Sequence, residues 1–197
     1  PRIEMFKMFS DNIRAGDPLS HIILFSVLIA ASFIASGLNS IASTSFTREG
    51  IHIDMLKYLP ADLGVQIKAK VFTAIIITFI PEVIAIVLVT VYLGVIVLLP
   101  LYVLISFSCI LIATIVGTVM DSISPYTVWS DELSALRGNL NCLFNLAAEM
   151  VAALLIGGIS YGLYMLSGSS LITISAVSVL LIISAAVCVI IAMPYAK

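Results

Sequence analysis

Two acids stand where lipid is the expected solvent. Glu82 follows Pro81 in the middle of one long apolar run, and Glu149 lies about two turns inside another. A charge at mid-bilayer costs at least about 2.5–3.5 kcal/mol on insertion scales, so each must face protein or water, or carry a proton. Two chemistries suit such groups: a substrate path or proton relay, and a protonated carboxyl hydrogen-bonded to a neighbouring helix. Pro81 also frees the carbonyl of Ile77 for a new partner. Other chemistry-bearing residues are sparse. His21 and His52 have no second histidine near them and read as interfacial residues, while Cys109, Cys142 and Cys188 read as small buried hydrophobes. The chain carries no GxxxxGK[ST], HExxH or GxSxG, so it brings neither a P-loop nor a metalloprotease or hydrolase signature, and the expectation is a non-enzyme.

The elements that position these residues follow from hydropathy. Of 197 residues 61% are hydrophobic and 10% charged, against about a quarter charged in soluble domains. Mean hydropathy is +1.21. The net charge of −2, without a basic cluster, speaks against a nucleic-acid partner. A spanning helix needs about 20 apolar residues, which predicts spans at 22–42, 71–92, 96–119, 142–165 and 171–193. The expected fold class is all-α: a polytopic bundle of about five spans, with the 71–119 stretch divided near Gly94. Residues 1–20 place Ile3, Phe6, Phe9 (or Ser10) and Ile13 at helical spacing, which fits an interfacial amphipathic segment or a helix packed on the bundle. Small residues suited to helix contact are Ala31 and Ala35, Ser32, Ser36 and Ser40, and the GxxxG of Gly158 and Gly162.

Two polar segments separate the spans. In 43–70, Gly50 and Pro60 fence a stretch with Ile51, Met55, Tyr58 and Leu59 on one α-helical face and His52, Asp54 and Lys57 elsewhere. On pattern alone it is either a docking element for a soluble partner or an interfacial connector. In 120–141, Ser130 suits an N-cap with Asp131 and Glu132 in the first turn of a helix running on into the fourth span, and Trp129 suits the headgroup boundary.

These segments carry a resemblance. Ser45-Phe46-Thr47-Arg48-Glu49-Gly50, then Leu56-Lys57-Tyr58-Leu59-Pro60, then Lys70 opening a span, resemble the permease subunits of ABC-2-type exporters. More narrowly they resemble the branch whose members are named only as ATP-binding cassette membrane subunits. The order Asp121, Pro125, Trp129, Asp131, Arg137, Asn139, Asn141 continues it, so that residues 43–145 are covered. Thr47 stands where serine is usual, and Glu82 lies in a span that is normally apolar. The resemblance implies a coupling helix at 50–60 seated on a separate ATPase subunit, with Arg48, Glu49, Gly50, Met55, Leu56, Lys57, Leu59 and Pro60 as its residues. Trp129, Asp131, Glu132, Arg137, Asn139 and Asn141 would form a second cytoplasmic element. It further implies that ATP and magnesium belong to the partner, that this chain binds no cofactor of its own, and that a second permease half completes the path. The chain, which opens on Pro1, would then be the C-terminal part of a longer protein. The alternative from the residues alone is a proton-coupled secondary transporter or helper protein using Glu82 and Glu149.

Lysine and arginine favour the cytoplasmic ends of short loops. Five spans put Arg48, Lys57, Lys68, Lys70, Arg137 and Lys197 on one side and Arg2, Lys7 and Arg14 on the other. Both long loops are therefore expected in the cytoplasm of a cell-membrane protein. Single cysteines introduced as Lys57→Cys, Glu132→Cys and Ser169→Cys, in a chain stripped of its own cysteines, test the orientation. A membrane-impermeant thiol reagent on intact cells should label only the Ser169→Cys chain; labelling of Lys57→Cys overturns the assignment.

Overall fold

The computed structural model describes residues 2–58, 62–129, 131 and 138–192, the side chains of 2, 3, 53–57 and 63 excepted. The chain is an all-α, multi-pass membrane protein. Among the described residues, five helices are long and apolar enough to cross a membrane. In chain order the helices are α1 (Arg2–Arg14), α2 (Pro18–Leu38), α3 (Leu63–Leu93), α4 (Leu99–Ile123), α5 (Leu140–Ser167) and α6 (Ser170–Ala192). 3-10 segments at Thr47–Tyr58 and Ile96–Leu98 lie between them.

Helix ends are set by caps as much as by hydropathy. Asp17 opens α2 by accepting from the Ser20 amide at 2.9 Å, with Pro18 at the first helical position. The Ser20 hydroxyl and amide hold the Asp17 carboxyl below its ordinary range. At the other end Asn39 closes the helix: its amide donates to the Ala35 carbonyl, and its side chain donates to Thr78 Oγ1 at 2.6 Å on α3. The first span is thus Pro18–Leu38, four residues earlier at each end than hydropathy places it. Residues 40–46 are turns, so Ser40, Ile41 and Ala42 fall outside the helix that hydropathy extends to them. Helix α3 has 31 residues and runs unbroken through Pro81. At 1.5 Å per residue it is about 46 Å long, so its ends rise out of a roughly 30 Å hydrocarbon core. Gly94 ends it at φ 76°, a left-handed cap that places the division of 71–119 where the sequence suggests.

Helix α2 is the centre of the bundle. It packs most extensively on α5 and α4, while α4 also contacts α3 and α6. Phe25, Ile29 and Phe33 of α2, Tyr102, Ile105 and Cys109 of α4, and Val177 of α6 fill the shared core. Of the small residues on the first span, Ser32 and Ser36 face inward; Ala31 is exposed. The GxxxG of α5 does not serve this packing. Gly158 and Gly162 are exposed, with nothing within 4 Å of where a Cβ would sit. Instead α5 turns a ladder of Asn141, Asn145, Glu149, Ala153 and Ser160 into the bundle. Two glycines make room for it. A Cβ on Gly37 of α2 would strike Glu149 and Leu146, and one on Gly117 of α4 would lie 3.1 Å from Asn145 Oδ1.

The bundle has two distinct ends. At one, α1 leans on the end of α3, Phe6 stacking on Tyr92 with ring centroids 5.7 Å apart and Arg14 donating to the Tyr92 carbonyl at 2.8 Å. The short turns at 94–98 and 168–169 lie at that end. The polar segments around 43–58 and 121–131 meet at the other.

Two sequence expectations change. The Thr47–Tyr58 segment is 3-10, kinked at Gly50 (φ 55°, ψ −136°), where an α-helix was expected after Gly50. Three residues per turn do not preserve a stripe drawn at 3.6-residue spacing; Ile51 and Tyr58 are both exposed. The fourth span also does not continue a helix begun at Ser130. It starts at Leu140, capped by Asn139, whose side chain accepts from the Asn141 amide at 2.8 Å. Ser130 itself lies outside the described residues.

Candidate functional site

Asp121 occupies the last turn of α4 and is fully buried. An acid at a helix C-terminus faces the negative end of the helix dipole and is unfavourable unless donors surround it. Here they do. Oδ2 accepts from the backbone amides of Phe46 at 2.6 Å and Thr47 at 2.9 Å. Oδ1 accepts from the Thr47 hydroxyl at 2.5 Å and from Asn141 Nδ2 at 3.1 Å. With a longer contact from Asn139 Nδ2 at 3.5 Å, these bonds occupy the roughly four lone-pair sites of a carboxylate.

Thr47 is equally saturated. Its hydroxyl, besides donating to Asp121, accepts from the Tyr126 amide and from Asn139 Nδ2, each at 3.0 Å. Its carbonyl accepts from Trp129 Nε1 at 2.9 Å. Serine has the same hydroxyl and could make the same bonds. The Trp129 ring then closes over Gly50, and a Cβ there would lie 2.8 Å from Cζ2. Gly50 is required twice, by its positive φ and by that ring.

Helix α3 joins through Lys70, whose ammonium donates to the Ser45 carbonyl at 2.7 Å and to Glu49 Oε1, and lies 5.5 Å from the Phe46 ring centroid. Arg48 folds back, Nε donating to Thr44 Oγ1 at 3.0 Å and Nη2 to the Ile41 carbonyl at 2.9 Å. Residues 43–50 are thus pinned to α3, α4 and α5 at once.

Of the residues singled out in sequence, Arg48, Glu49, Gly50, Trp129, Asn139 and Asn141 come together at this node with Thr47, Lys70 and Asp121. Asp131 is exposed. The side chains of Met55, Leu56 and Lys57, and residues Leu59, Pro60, Glu132 and Arg137, lie outside the described residues.

The two intramembrane acids form separate sites. Glu82 on α3 meets α2 and α4: Ser32 Oγ lies 3.0 Å from Glu82 Oε1, 2.9 Å from Ser106 Oγ and 2.9 Å from the Leu28 carbonyl. A hydroxyl has one proton to give. With a proton on the Glu82 carboxyl all three contacts are hydrogen bonds at once; with a carboxylate only two are. Glu149 is buried on α5, where Oε1 accepts from Asn145 Nδ2 at 2.7 Å. Glu149 Oε2 and Asn145 Oδ1 have no partner among the described residues. Asn145 is absent from the sequence reading. Its signal was the four-residue spacing of Asn141, Asn145 and Glu149, which puts three polar groups on one helix face.

No family model, curated protein or solved structure matches the chain.

The node generates a graded expectation. Asp121→Asn replaces an acceptor with a donor facing amide donors, leaving buried groups unpaired at about 1–3 kcal/mol each. Thr47→Val keeps shape and loses the hydroxyl, at a similar cost, whereas Thr47→Ser should be nearly silent. Thermal unfolding of purified protein in detergent should rank wild type and Thr47→Ser together, with Thr47→Val and Asp121→Asn well below. Equal melting of all four would remove the node as a structural centre.

Proposed function

We propose that this chain is the membrane-spanning permease of an ATP-driven exporter, coupled through the 50–60 segment to a separate nucleotide-binding subunit. One observation carries the reading. The segment between α2 and α3 is anchored on its 43–50 side to three other spans through Thr47, Asp121, Asn139 and Lys70, while Ile51 and Tyr58 beyond Gly50 are exposed. A surface element fixed to the bundle that exposes Ile51 and Tyr58 is suited to pass movement from a soluble motor into the spans. The motif order of the ABC-2-type permeases supports the same assignment. Under it, ATP and magnesium are bound by the partner, and a second permease half faces this one across the path.

Groove binding depends on a few buried anchors, and Met55 and Leu56 are the candidates. The double variant Met55→Asp with Leu56→Asp puts charges into an apolar contact without touching a span. It should reach the membrane at the normal level, lose co-purification with its ATPase, and lose ATP-dependent export. Undiminished co-purification with continued export would leave the segment a connector.

A second reading rests on Glu82. Its contact with Ser32, which in turn meets Ser106, links three helices through groups that carry exchangeable protons, which favours a proton-coupled transporter or helper. Glu82→Gln retains size, a donor and an acceptor but cannot exchange a proton. Transport by that variant should fall with insertion intact if protons drive the cycle. Wild-type transport across the neutral pH range rejects the relay and leaves Glu82 as a tie between helices.

A further inference from the structure

Beside the node, where the end of α2 meets the start of α3, a cavity of about 330 Å³ is lined by Ile41, Ser45, Arg48, Glu49, Ala69, Lys70 and Thr73. We propose that it is a binding site for the phosphate of an anionic phospholipid headgroup. The inference is independent of the transport reading and rests on unspent donors. A guanidinium carries five N–H donors; Arg48 commits Nε and Nη2 to Thr44 and Ile41, and its other donors have no partner among the described residues. Lys70 has three N–H donors and commits two, to Ser45 and Glu49. The Ser45 hydroxyl, 5% exposed, has no partner among the described residues. Arg48 and Lys70 against Glu49 leave the cavity with one net positive charge, and the guanidinium geometry matches a phosphate's oxygens.

Depth identifies the source of the phosphate. Lys70 is the last charged residue before the apolar run that opens at Val71, which puts it at headgroup level. Ala69 beside it and Thr73 about a turn deeper are exposed on the outer face of α3. Thr73 returns its hydroxyl to the Ala69 carbonyl at 2.9 Å, so this wall offers an acyl chain mainly carbon. A free phosphate would use the donors and leave that wall bare.

Delipidated protein in neutral detergent, titrated with short-chain phosphatidylglycerol, phosphatidylcholine or inorganic phosphate, tests the proposal by thermal shift and by lipid adducts in native mass spectrometry. Phosphatidylglycerol should stabilise saturably and stay bound, with phosphatidylcholine weaker. Arg48→Gln should weaken phosphatidylglycerol about tenfold or more. Ala69→Trp, which fills the cavity while leaving every polar contact in place, should do the same and covers the case in which Arg48→Gln fails to fold. Lys68→Gln removes a neighbouring exposed charge and should change affinity less than about threefold. Inorganic phosphate as effective as the lipid overturns the lipid assignment. Wild-type affinity in Ala69→Trp, or an equal loss in Lys68→Gln, overturns the site.

Discussion

The carboxylate of Asp121 is the constraint on which one end of this bundle depends. Helix α2 ends at Leu38, and the chain must then travel from Asn39 to Phe46 along the membrane boundary as turns before the 3-10 segment opens at Thr47. Backbone groups left unpaired at that depth cost several kcal/mol each. Asp121 accepts the amides of Phe46 and Thr47, Asn139 donates to the Ser43 carbonyl, Trp129 to the Thr47 carbonyl and Lys70 to the Ser45 carbonyl. Five backbone groups here are thus satisfied by side chains from later in the chain, while local bonds such as the Ser45 amide to the Ala42 carbonyl satisfy others. The turn therefore takes its shape only when α3, α4 and α5 are in place, and it holds them in register in return.

A second constraint runs down the α2–α5 seam. Apolar side chains give no advantage in helix association when the surroundings are lipid tails, so close approach and hydrogen bonds must supply it. Gly37 and Gly117 provide the approach, and Asn145 and Glu149 occupy the space so created. This places polar residues inside and large apolar ones such as Leu154, Leu155 and Leu166 outside, the reverse of a soluble bundle. The exposed Gly158 and Gly162 fit that inversion, since they lie on the face where contact with the rest of the chain is absent.

The spans were legible because length and hydropathy alone specify them; the Gly94 division was legible because glycine at that point admits a left-handed cap. Their ends were less so. Asn39 marks its boundary with a side-chain bond to the distant Thr78 and Asn139 with a cap on Asn141, and hydropathy is blind to such bonds. The motif residues Arg48, Glu49, Gly50, Trp129, Asn139 and Asn141 could be picked out along the chain, yet nothing in their order required one cluster around Thr47 and Asp121. The GxxxG faces away from the rest of the chain; spacing identifies a small face without saying which neighbour it meets. The amphipathic stripe through Ile51 and Tyr58 assumed an α-helical period that the 3-10 backbone does not keep.

Gly50 divides the first loop into two mechanically different halves. On its N-terminal side each of residues 43–49 contributes a backbone or side-chain group to a side-chain hydrogen bond. On the other side the 3-10 segment carries exposed Ile51 and Tyr58. Between them the backbone turns at φ 55° under the Trp129 indole, and Trp129 is itself held by the Thr47 carbonyl. A displacement of the exposed half therefore reaches Gly50 and Trp129 first, and through Thr47 reaches Asp121 at the end of α4 and Asn139 at the start of α5. The α2–α5 seam begins one turn further along, at Asn141, Asn145 and Gly37. The exposed half of the loop and the central helices are thus joined by a short run of hydrogen bonds through Thr47, Asp121 and Asn139.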